Sequence, residues 1–355
     1  MPNKQRIATS LLAAALTATG TTALAPAAQA APAAQAGGAA CGYRQPTHLP
    51  VGQDVTAGTV TATAGTGVYA GTVEVPSGSS GTKKHAALWT GGAYTDLGTV
   101  ADAEDGLWVR GVNSSGTVVG GATKVVGSTE GWPQTENYPV RSRGSKLERL
   151  PVPAGAHDVV AAAVTEHGDI YGYGYGADDN NYTKVYMWPA DKPGTVLEPT
   201  GFPRGSEVEG VDTDGTVAVT AVSNPAGTWR PYVWRDGVAK ALPLPSGAPN
   251  AAVSAISDGR LVGHGLTADF GYFAVLWDKD GKAKKLPGGQ DATAINADGL
   301  ILGTGKTNLW QLTQAKPALD GRGSLTTITT DSTIAGSAPV DGGKSADLPA
   351  LWHCN

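Results

Sequence analysis

The sequence predicts an all-β chain that folds as a seven-bladed β-propeller of four-stranded blades. Three observations predict this architecture: a repeated hairpin motif, a regularly spaced tryptophan, and a last repeat whose missing strand is found at the other end of the chain. The 355 residues include 50 Gly, and only 16% of them are charged. Short Val, Ile, Thr, Tyr and Trp runs broken by Gly, Asp and Asn are typical of strands joined by tight turns.

The hairpin motif predicts the first two strands of each blade. Residues 292–303 read Ala-Thr-Ala-Ile-Asn-Ala-Asp-Gly-Leu-Ile-Leu-Gly, and the pattern recurs in residues 253–263, 109–120 and 208–219. Less regular copies are residues 59–70, 161–168 and 325–329. Because glycine adopts positive φ without strain, the Asx-x-Gly segment is predicted to be the turn of an antiparallel hairpin.

A tryptophan ends the predicted third strand, and a leucine of the fourth strand follows eight or nine residues later. The tryptophans are Trp89, Trp188, Trp234, Trp277, Trp310 and Trp352, and Arg141 takes the place of one. The leucines are Leu97, Leu150, Leu197, Leu242, Leu286 and Leu319. The repeat spacing is about 44 residues, which matches the size of a propeller blade. Since one such sheet cannot bury both of its faces, neighbouring blades must stack.

The two ends of the chain are predicted to meet in the seventh blade. Only three residues follow Trp352, whereas residues 48–51 (His-Leu-Pro-Val) match the fourth-strand pattern of residues 285–287. Cys41 and Cys354 lie where intact repeats turn from the third to the fourth strand. An even pair in an exported protein indicates a disulfide. Acylation of Cys41 would leave Cys354 unpaired. Six or eight blades, or an open solenoid, remain alternatives.

These residues resemble the bacterial extracellular HAF repeat family. The resemblance lies in Ala-Ile-Asn-x-x-Gly-x-Ile-x-Gly, then Ala-x-Leu-Trp-x-x-Gly and a leucine, and it is clearest in residues 251–286 and 291–319. It covers nearly the whole chain after the leader. The resemblance implies an exported β-propeller, generally without an assigned activity.

The N-terminus predicts export. Lys4 and Arg6 precede a modest apolar stretch, and Ala28-Gln29-Ala30 offers small residues to a signal peptidase. We therefore predict a signal peptide at 1–30, an Ala-rich linker at 31–40 and one propeller domain at 41–355. Thr and Gly interrupt the apolar stretch, so a transmembrane anchor is disfavoured. The net charge of −5 argues against nucleic-acid binding, and we expect a secreted, extracellular monomer.

No concentrated catalytic motif is found, so a binding module that recognises a glycan or a protein is favoured over an enzyme. The loops between second and third strands vary most, and variable loops on a fixed scaffold commonly carry function. Their aromatic and charged residues are the ligand-binding candidates: Trp132, Tyr138, Tyr173, Tyr175, Tyr182, Trp229, Arg230, Phe270 and Tyr272.

The alternative is an extracellular glycan hydrolase or lyase with carboxylates at the mouth of the channel. The residues joining one blade to the next are predicted to lie there: Asp105, His157, Asp158, Glu207, Asn250 and Asp291. Asp158, Glu207 and Asp291 are the candidates for acid–base chemistry. No cofactor is expected apart from a calcium ion that the oxygen-rich run Asp178-Asp179-Asn180-Asn181 could hold.

Overall fold

A computed structural model describes residues 45–353 apart from 79–80, 102, 104–105, 130–131, 224–226, 318, 320–322 and 341–345. It does not describe the side chains of residues 179–181 and 223. The predicted signal peptide and linker, both cysteines and Asp105 lie outside the described residues. The chain forms seven antiparallel sheets arranged as the blades of a β-propeller, as predicted. The alternative counts of six and eight blades are thereby excluded.

The strands follow each other blade by blade. Blades 1 to 4 contain β2(Ala57–Ala64), β3(Val68–Ser77), β4(Gly81–Thr90), β5(Ala93–Gly98); β6(Leu107–Val112), β7(Val118–Thr129), β8(Trp132–Arg143), β9(Lys146–Arg149); β10(His157–Val164), β11(Ile170–Gly176), β12(Asp179–Trp188); β13(Ser206–Val211), β14(Val217–Ser223), β15(Thr228–Arg235), β16(Val238–Ala241). Blades 5 to 7 contain β17(Asn250–Ser257), β18(Arg260–Leu266), β19(Tyr272–Trp277), β20(Ala283–Lys285); β21(Gly289–Ile295), β22(Leu300–Gly305), β23(Leu309–Gln311), β24(Gln314–Ala315); β25(Ser324–Ile328), β26(Ile334–Pro339), β27(Asp347–Trp352) and β1(Thr47–His48).

The N-terminal strand closes the ring, as predicted. In β1, Thr47 lies opposite Leu351 and His48 opposite Ala350 of β27. The Leu49 amide extends the pairing by donating to the Pro349 carbonyl at 2.9 Å. The seventh blade is therefore built from both ends of the chain.

Indole hydrogen bonds from five of the repeat tryptophans link a blade to the preceding one. The indole Nε1 of Trp277 donates to the Pro243 carbonyl at 2.9 Å, directly after the outer strand of blade 4. The equivalent bonds are Trp89 to Pro50, Trp188 to Pro151, Trp234 to Thr200 and Trp310 to Pro287. All six predicted tryptophans are buried. The repeated Leu-Pro pair thus supplies a buried leucine and an acceptor for the next blade.

The outer edge of blade 3 departs from the prediction. Its fourth element is a single bridge in which Met187 and Leu197 exchange two hydrogen bonds of 2.9 and 2.8 Å. Leu197, the predicted fourth-strand leucine, lies in this bridge and is 43% exposed. Its neighbour Val196 packs against the core instead.

Buried polar side chains join the turns on one face of the ring. Asn113 and Asn296 donate from Nδ2 to the Thr165 and Thr329 carbonyls of the next blade, at 3.0 and 3.1 Å. Asp212 stands at the same position but accepts from the Asp258 and Gly259 amides, at 3.0 and 2.7 Å. Asn therefore occurs where the neighbouring turn presents a carbonyl acceptor, and Asp occurs where that turn presents amide donors. We call this face, formed by the turns between first and second strands, the lower face.

Candidate functional site

The upper face is formed by the loops between second and third strands and by the connections between blades. Contacts confirm that these two sets of loops lie together: the Trp229 amide donates to Asn250 Oδ1 at 3.0 Å, and the Asn137 amide donates to Asp158 Oδ1 at 3.0 Å. In each case a loop of one blade meets the start of the next blade's first strand. The predicted ligand-binding loops and the predicted mouth residues therefore share one face.

A β-bulge occurs at the same position in the first strand of every blade. A bulge inserts one extra residue into a strand and re-aims its side chain. The seven bulged residues are Thr61, Arg110, Ala162, Glu209, Ser254, Thr293 and Thr326, and all of them line a channel cavity of about 310 Å³. This set is called the bulge ring.

Glycine on the second strand accommodates the bulge in most blades. A Cβ added to Gly263 would lie 2.1 Å from the Ala252 carbonyl oxygen, and one added to Gly120 would lie 2.0 Å from that of Trp108. Both contacts are with backbone, which cannot move aside within a ladder. This requirement explains the glycine that ends the repeated hairpin motif. Blade 4 differs, because Val219 occupies the position and packs in the core against blade 3.

Two members of the bulge ring are charged. Arg110 of blade 2 reaches Glu209 of blade 4, with Nη2 at 3.5 Å from Oε2. Blade 3 lies between them and contributes only the small Ala162 to the ring. The Arg110 side chain is 37% exposed and that of Glu209 is 20% exposed. Neither residue was predicted as a site residue, because both had been assigned to the repeated core motif.

The surroundings of Glu209 favour its neutral form. Burial raises the pKa of Glu209 to about 7; the Arg110 and His264 charges oppose the rise, and the Glu207 and Asp291 charges add to it. Burial also raises the pKa of Glu207, again against the effect of Arg110. Two of the three predicted carboxylates, Glu207 and Asp291, therefore gather around Glu209.

Tyr173 belongs to the same group of side chains. Burial raises its pKa to about 12, with Arg110 lowering it and Glu207, Glu209 and Tyr175 raising it further. At neutral pH the Tyr173 hydroxyl thus keeps its proton. We call Arg110, Tyr173, Glu207, Glu209, His264 and Asp291 the channel cluster.

His264 and Asp291 form the other half of the channel cluster. Nδ1 of His264 lies 3.2 Å from Oδ1 of Asp291 in the next blade. The imidazole is flanked by the Trp229 and Tyr272 rings, at centroid distances of 6.2 and 5.3 Å. Its Nε2 is buried and has no hydrogen-bond partner among the described residues. His264 was not predicted, although its partner Asp291 was.

Asp158, the third predicted carboxylate, belongs to a separate group. Its Oδ2 lies 3.3 Å from Nδ1 of His157, and its backbone adopts a φ of 51°. The His157 ring stacks on Tyr175 with centroids 5.3 Å apart. Asn250, which was also predicted at the channel mouth, accepts a hydrogen bond from the Trp229 amide instead. The predicted mouth residues therefore do not all converge.

Aromatic side chains are presented to solvent on the upper face. Among the described residues, those more than half exposed are Trp132 at 77%, Phe270 at 80% and Tyr272 at 51%. Phe270 has a φ of 63°, a conformation that is uncommon for a bulky residue. Its turn is fixed by Thr267, whose carbonyl accepts from the Phe270 amide at 3.1 Å and whose Oγ1 accepts from the Gly271 amide at 2.8 Å.

The remaining predicted ligand-binding residues are more enclosed. Tyr138 is buried in the core between blades 1 and 2, and the Arg149 guanidinium covers its ring at 3.8 Å. The Arg204 guanidinium covers the Tyr182 ring at the same distance. Tyr175 and Trp229 are half-buried, whereas Arg230 is exposed.

The predicted calcium run is only partly described. The Asp178 carboxylate lies 2.8 Å from Lys184 Nζ, and this contact lowers the pKa of Asp178. The side chains of Asp179, Asn180 and Asn181 lie outside the described residues, and calcium binding stays a prediction. Within the described ranges no group of three or more His, Cys, Asp or Glu side chains is arranged to hold a metal. The same ranges contain no helix with the length and apolarity to cross a membrane.

The solved structures that resemble this chain are β-propellers. The β-propeller domain of the Trilobed protease from Pyrococcus furiosus has a TM-score of 0.56 at 12% identity, with 86% of this chain and 95% of that chain covered. Virginiamycin B lyase from Staphylococcus aureus has a TM-score of 0.52 at 15% identity, with 87% and 98% covered. No protein-family model and no curated protein matches this sequence. The similarity shows the fold.

Proposed function

We propose that this chain is a secreted binding protein whose upper face recognises a glycan, and that it belongs with the HAF repeat proteins it resembles. The observation that carries the proposal is Phe270, a bulky apolar side chain held in a strained backbone conformation and 80% exposed to water. Strained residues persist where the surrounding structure holds them, and they cluster at ligand-binding positions. The Thr267 hydrogen bonds are the means of holding it.

The chemistry around the exposed rings suits sugars. Tyr272 lies beside Phe270, and His264, Asp291 and Arg230 supply polar groups on the same face. Aromatic rings cover the apolar faces of sugars, while polar side chains bond the hydroxyls. A large continuous apolar patch commonly marks a protein–protein interface. Here Trp132 is on blade 2 and Phe270 on blade 5, with charged residues on the same face.

The test is binding of the purified chain to an array of polysaccharides, followed by affinity measurements on the strongest hit. The double variant Phe270→Ala/Tyr272→Ala is expected to weaken binding at least tenfold, because burying a large apolar side chain contributes about 1.5–3 kcal/mol. The matched control is Val238→Ala, which removes an apolar side chain that is 70% exposed but lies on the outer hairpin of blade 4.

Affinity of the double variant equal to that of Val238→Ala would contradict the assignment of the site. Absence of any glycan hit with the folded chain would contradict glycan recognition, and a protein ligand would then be sought with the same two variants. Calcium dependence of a hit would direct mutagenesis to Asp178.

A further inference from the structure

We propose that the channel cavity binds a free α-amino acid with a branched aliphatic side chain, whose carboxylate contacts Arg110 and whose ammonium group contacts Glu209. The cavity reaches the lower face, whereas glycan recognition is assigned to the loops of the upper face. The inference is therefore independent of the proposed function. It adds a second site, a ligand class and two residue roles.

The wall of the channel cavity has two chemically different levels. The first is the bulge ring, which is mostly polar. Two positions further along the first strand, six of the seven blades carry Val or Ile. These six side chains also line the cavity and are called the apolar collar: Val112, Val164, Val211, Ile256, Ile295 and Ile328. Beyond the collar the lining continues to the lower-face turns at Gly65, Glu166 and Thr213. A ligand that enters from the lower face with its charged end first would thus reach the bulge ring through an apolar zone.

The hydroxyls of the bulge ring differ in whether they are already used. Thr326 Oγ1 donates to the Val60 carbonyl at 2.6 Å, which links blade 7 to blade 1. Thr61 Oγ1 donates to the Val109 carbonyl at 2.9 Å, which links blade 1 to blade 2. The Ser254 hydroxyl also lines the cavity, but it makes no hydrogen bond to another described residue. The side of the ring next to Glu209 therefore keeps a polar group that a ligand can use.

Three carboxylates line the cavity within the described residues, and two of them are already hydrogen-bonded. Asp212 accepts from two backbone amides of blade 5. Glu166 accepts from the Ser114 amide at 3.1 Å. Glu209 has only Arg110 beside it, at 3.5 Å, which is longer than a normal hydrogen bond. Glu209 is therefore the carboxylate that is available to a ligand.

Arg110 supplies the positive half of the site. It is the one Lys or Arg among the described residues that line the cavity. A guanidinium binds a carboxylate through two parallel hydrogen bonds. An α-amino acid carries a carboxylate and an ammonium group on one carbon, so its two charges lie side by side, as those of Arg110 and Glu209 do. A ligand with a carboxylate alone would place that charge beside Glu209, and an amine alone would lie beside Arg110. The zwitterion satisfies both residues.

The apolar collar favours an aliphatic side chain on that amino acid. Val211 and Ile256 stand two positions after Glu209 and Ser254 on their strands, and both are half-buried, whereas the other four collar residues are buried. They therefore leave apolar surface facing the cavity on the side where the charged end would bind. Covering this surface with a branched aliphatic chain removes it from water and stabilises the complex. The cavity volume of about 310 Å³ is sufficient for such a small ligand.

Binding of the ammonium group requires the ionised form of Glu209. The charged and titratable groups around this carboxyl are the other members of the channel cluster: Arg110, Tyr173, Glu207, His264 and Asp291. Burial raises the pKa of Glu209 to about 7, and a ligand ammonium beside it would favour ionisation. Affinity for the amino acid is therefore expected to fall as the pH is lowered below about 7, because Glu209 must then lose a proton to bind.

The experiment is equilibrium dialysis of the full chain against radiolabelled L-leucine, at a pH above the native pKa of Glu209, with unlabelled competitors. Isocaproate lacks the ammonium group of leucine, isoamylamine lacks its carboxylate, and free glycine lacks its aliphatic side chain. Each is expected to compete at least tenfold more weakly than unlabelled leucine, since each loses one of the three interactions.

Arg110→Met and Glu209→Gln test the two residue roles. Each is expected to weaken leucine binding at least tenfold, because each removes a hydrogen bond between charged groups. The matched controls are Arg141→Met and Glu148→Gln, which break an Arg–Glu pair of 2.7 Å between β8 and β9, away from the cavity. They should leave the affinity unchanged, with urea denaturation showing that all variants fold.

No retention of leucine by the folded chain at millimolar ligand would overturn the inference. Isocaproate that competes as well as leucine would overturn it too, because Glu209 would then have no ammonium group to bind. Unchanged affinity of the folded Arg110→Met variant would do the same. The variant Phe270→Ala/Tyr272→Ala should bind leucine normally, so a failure here leaves glycan recognition to be decided by its own test.

Discussion

Glu209 lies in the channel wall, and its carboxyl group binds a proton more tightly in the folded chain than in the unfolded chain. Its native pKa of about 7 stands above the ordinary value of 4.5, with burial as the main cause. Between these two pH values the folded state holds a proton that the unfolded state releases. Consequently this residue makes the free energy of unfolding fall as the pH rises from 4.5 to about 7, and it adds no further change above that range.

We expect Glu209→Gln to stabilise the chain above the native pKa by up to about 3 kcal/mol, because the variant never buries a negative charge there. Below the ordinary pKa the two proteins should have similar free energies of unfolding, since Glu209 is then neutral in both states. Urea denaturation of both proteins on either side of this pH range measures the difference. An equal effect at the two extremes would show that packing, and not the charge, sets the energy at this position.

The charged members of the bulge ring show what the sequence could and could not predict at the scale of one residue. A strand alternates its side chains between two faces, but a bulge breaks that alternation, and single-residue bulges leave no mark in an isolated repeat. Aligned repeats do carry a signal: Arg110 and Glu209 are charged where the other five blades have Thr, Ser or Ala. His264 gave no such signal, because its pairing with Asp291 depends on how two blades pack.

In six of the seven blades a buried tryptophan lies near the end of the third strand, and in blade 2 Arg141 takes its place. In blade 5 the Trp277 ring is fully buried between blades 4 and 5, and its Nε1 bonds the Pro243 carbonyl. Trp277→Phe keeps an aromatic ring but removes this donor and leaves a cavity. We expect the free energy of unfolding to fall by about 3 kcal/mol. Chemical denaturation measures it.

Trp132→Phe is the matched control for that substitution. The Trp132 side chain is 77% exposed at the start of β8, so the same change in ring size should alter stability by less than about 0.5 kcal/mol. Comparable losses in the two variants would mean that the indole bond does not link the blades.

The tryptophan and leucine pattern predicted these buried elements well. At Leu197 the pattern predicts a fourth strand, whereas blade 3 has only a bridge there.

In the part of the chain that the structure describes, seven buried apolar clusters hold the propeller together, one at each contact between neighbouring blades. The cluster between blades 7 and 1 joins Leu49 and Leu351 to Trp89 of the first blade. This ring closure has little backbone pairing, since β1 contains only Thr47 and His48. The hydrogen bond from Trp89 to the Pro50 carbonyl, 2.7 Å long, adds one more link. Closure therefore depends on a short segment that could separate from β27.

A Cys41–Cys354 disulfide would secure that segment, and we propose it as the covalent part of the closure. Both cysteines lie outside the described residues, but Thr47 and Leu351 are paired, and each cysteine is only a few positions further along the chain. A bond closing a loop of about 314 residues stabilises a fold by at most about 5 kcal/mol in the chain-entropy model. Peptide mapping without reductant should recover the two cysteines in one linked species, and reductant should lower the free energy of unfolding.

The variant Cys354→Ser separates this bond from other effects of reductant. It should unfold at the lower free energy of the reduced protein, and adding reductant to it should change nothing further. Two free thiols in the oxidised, folded protein would contradict the proposal. Closure would then depend only on the two-residue pairing, the Leu49 amide and the Trp89 bond, and the first loss of structure on heating should be release of β1 from blade 7.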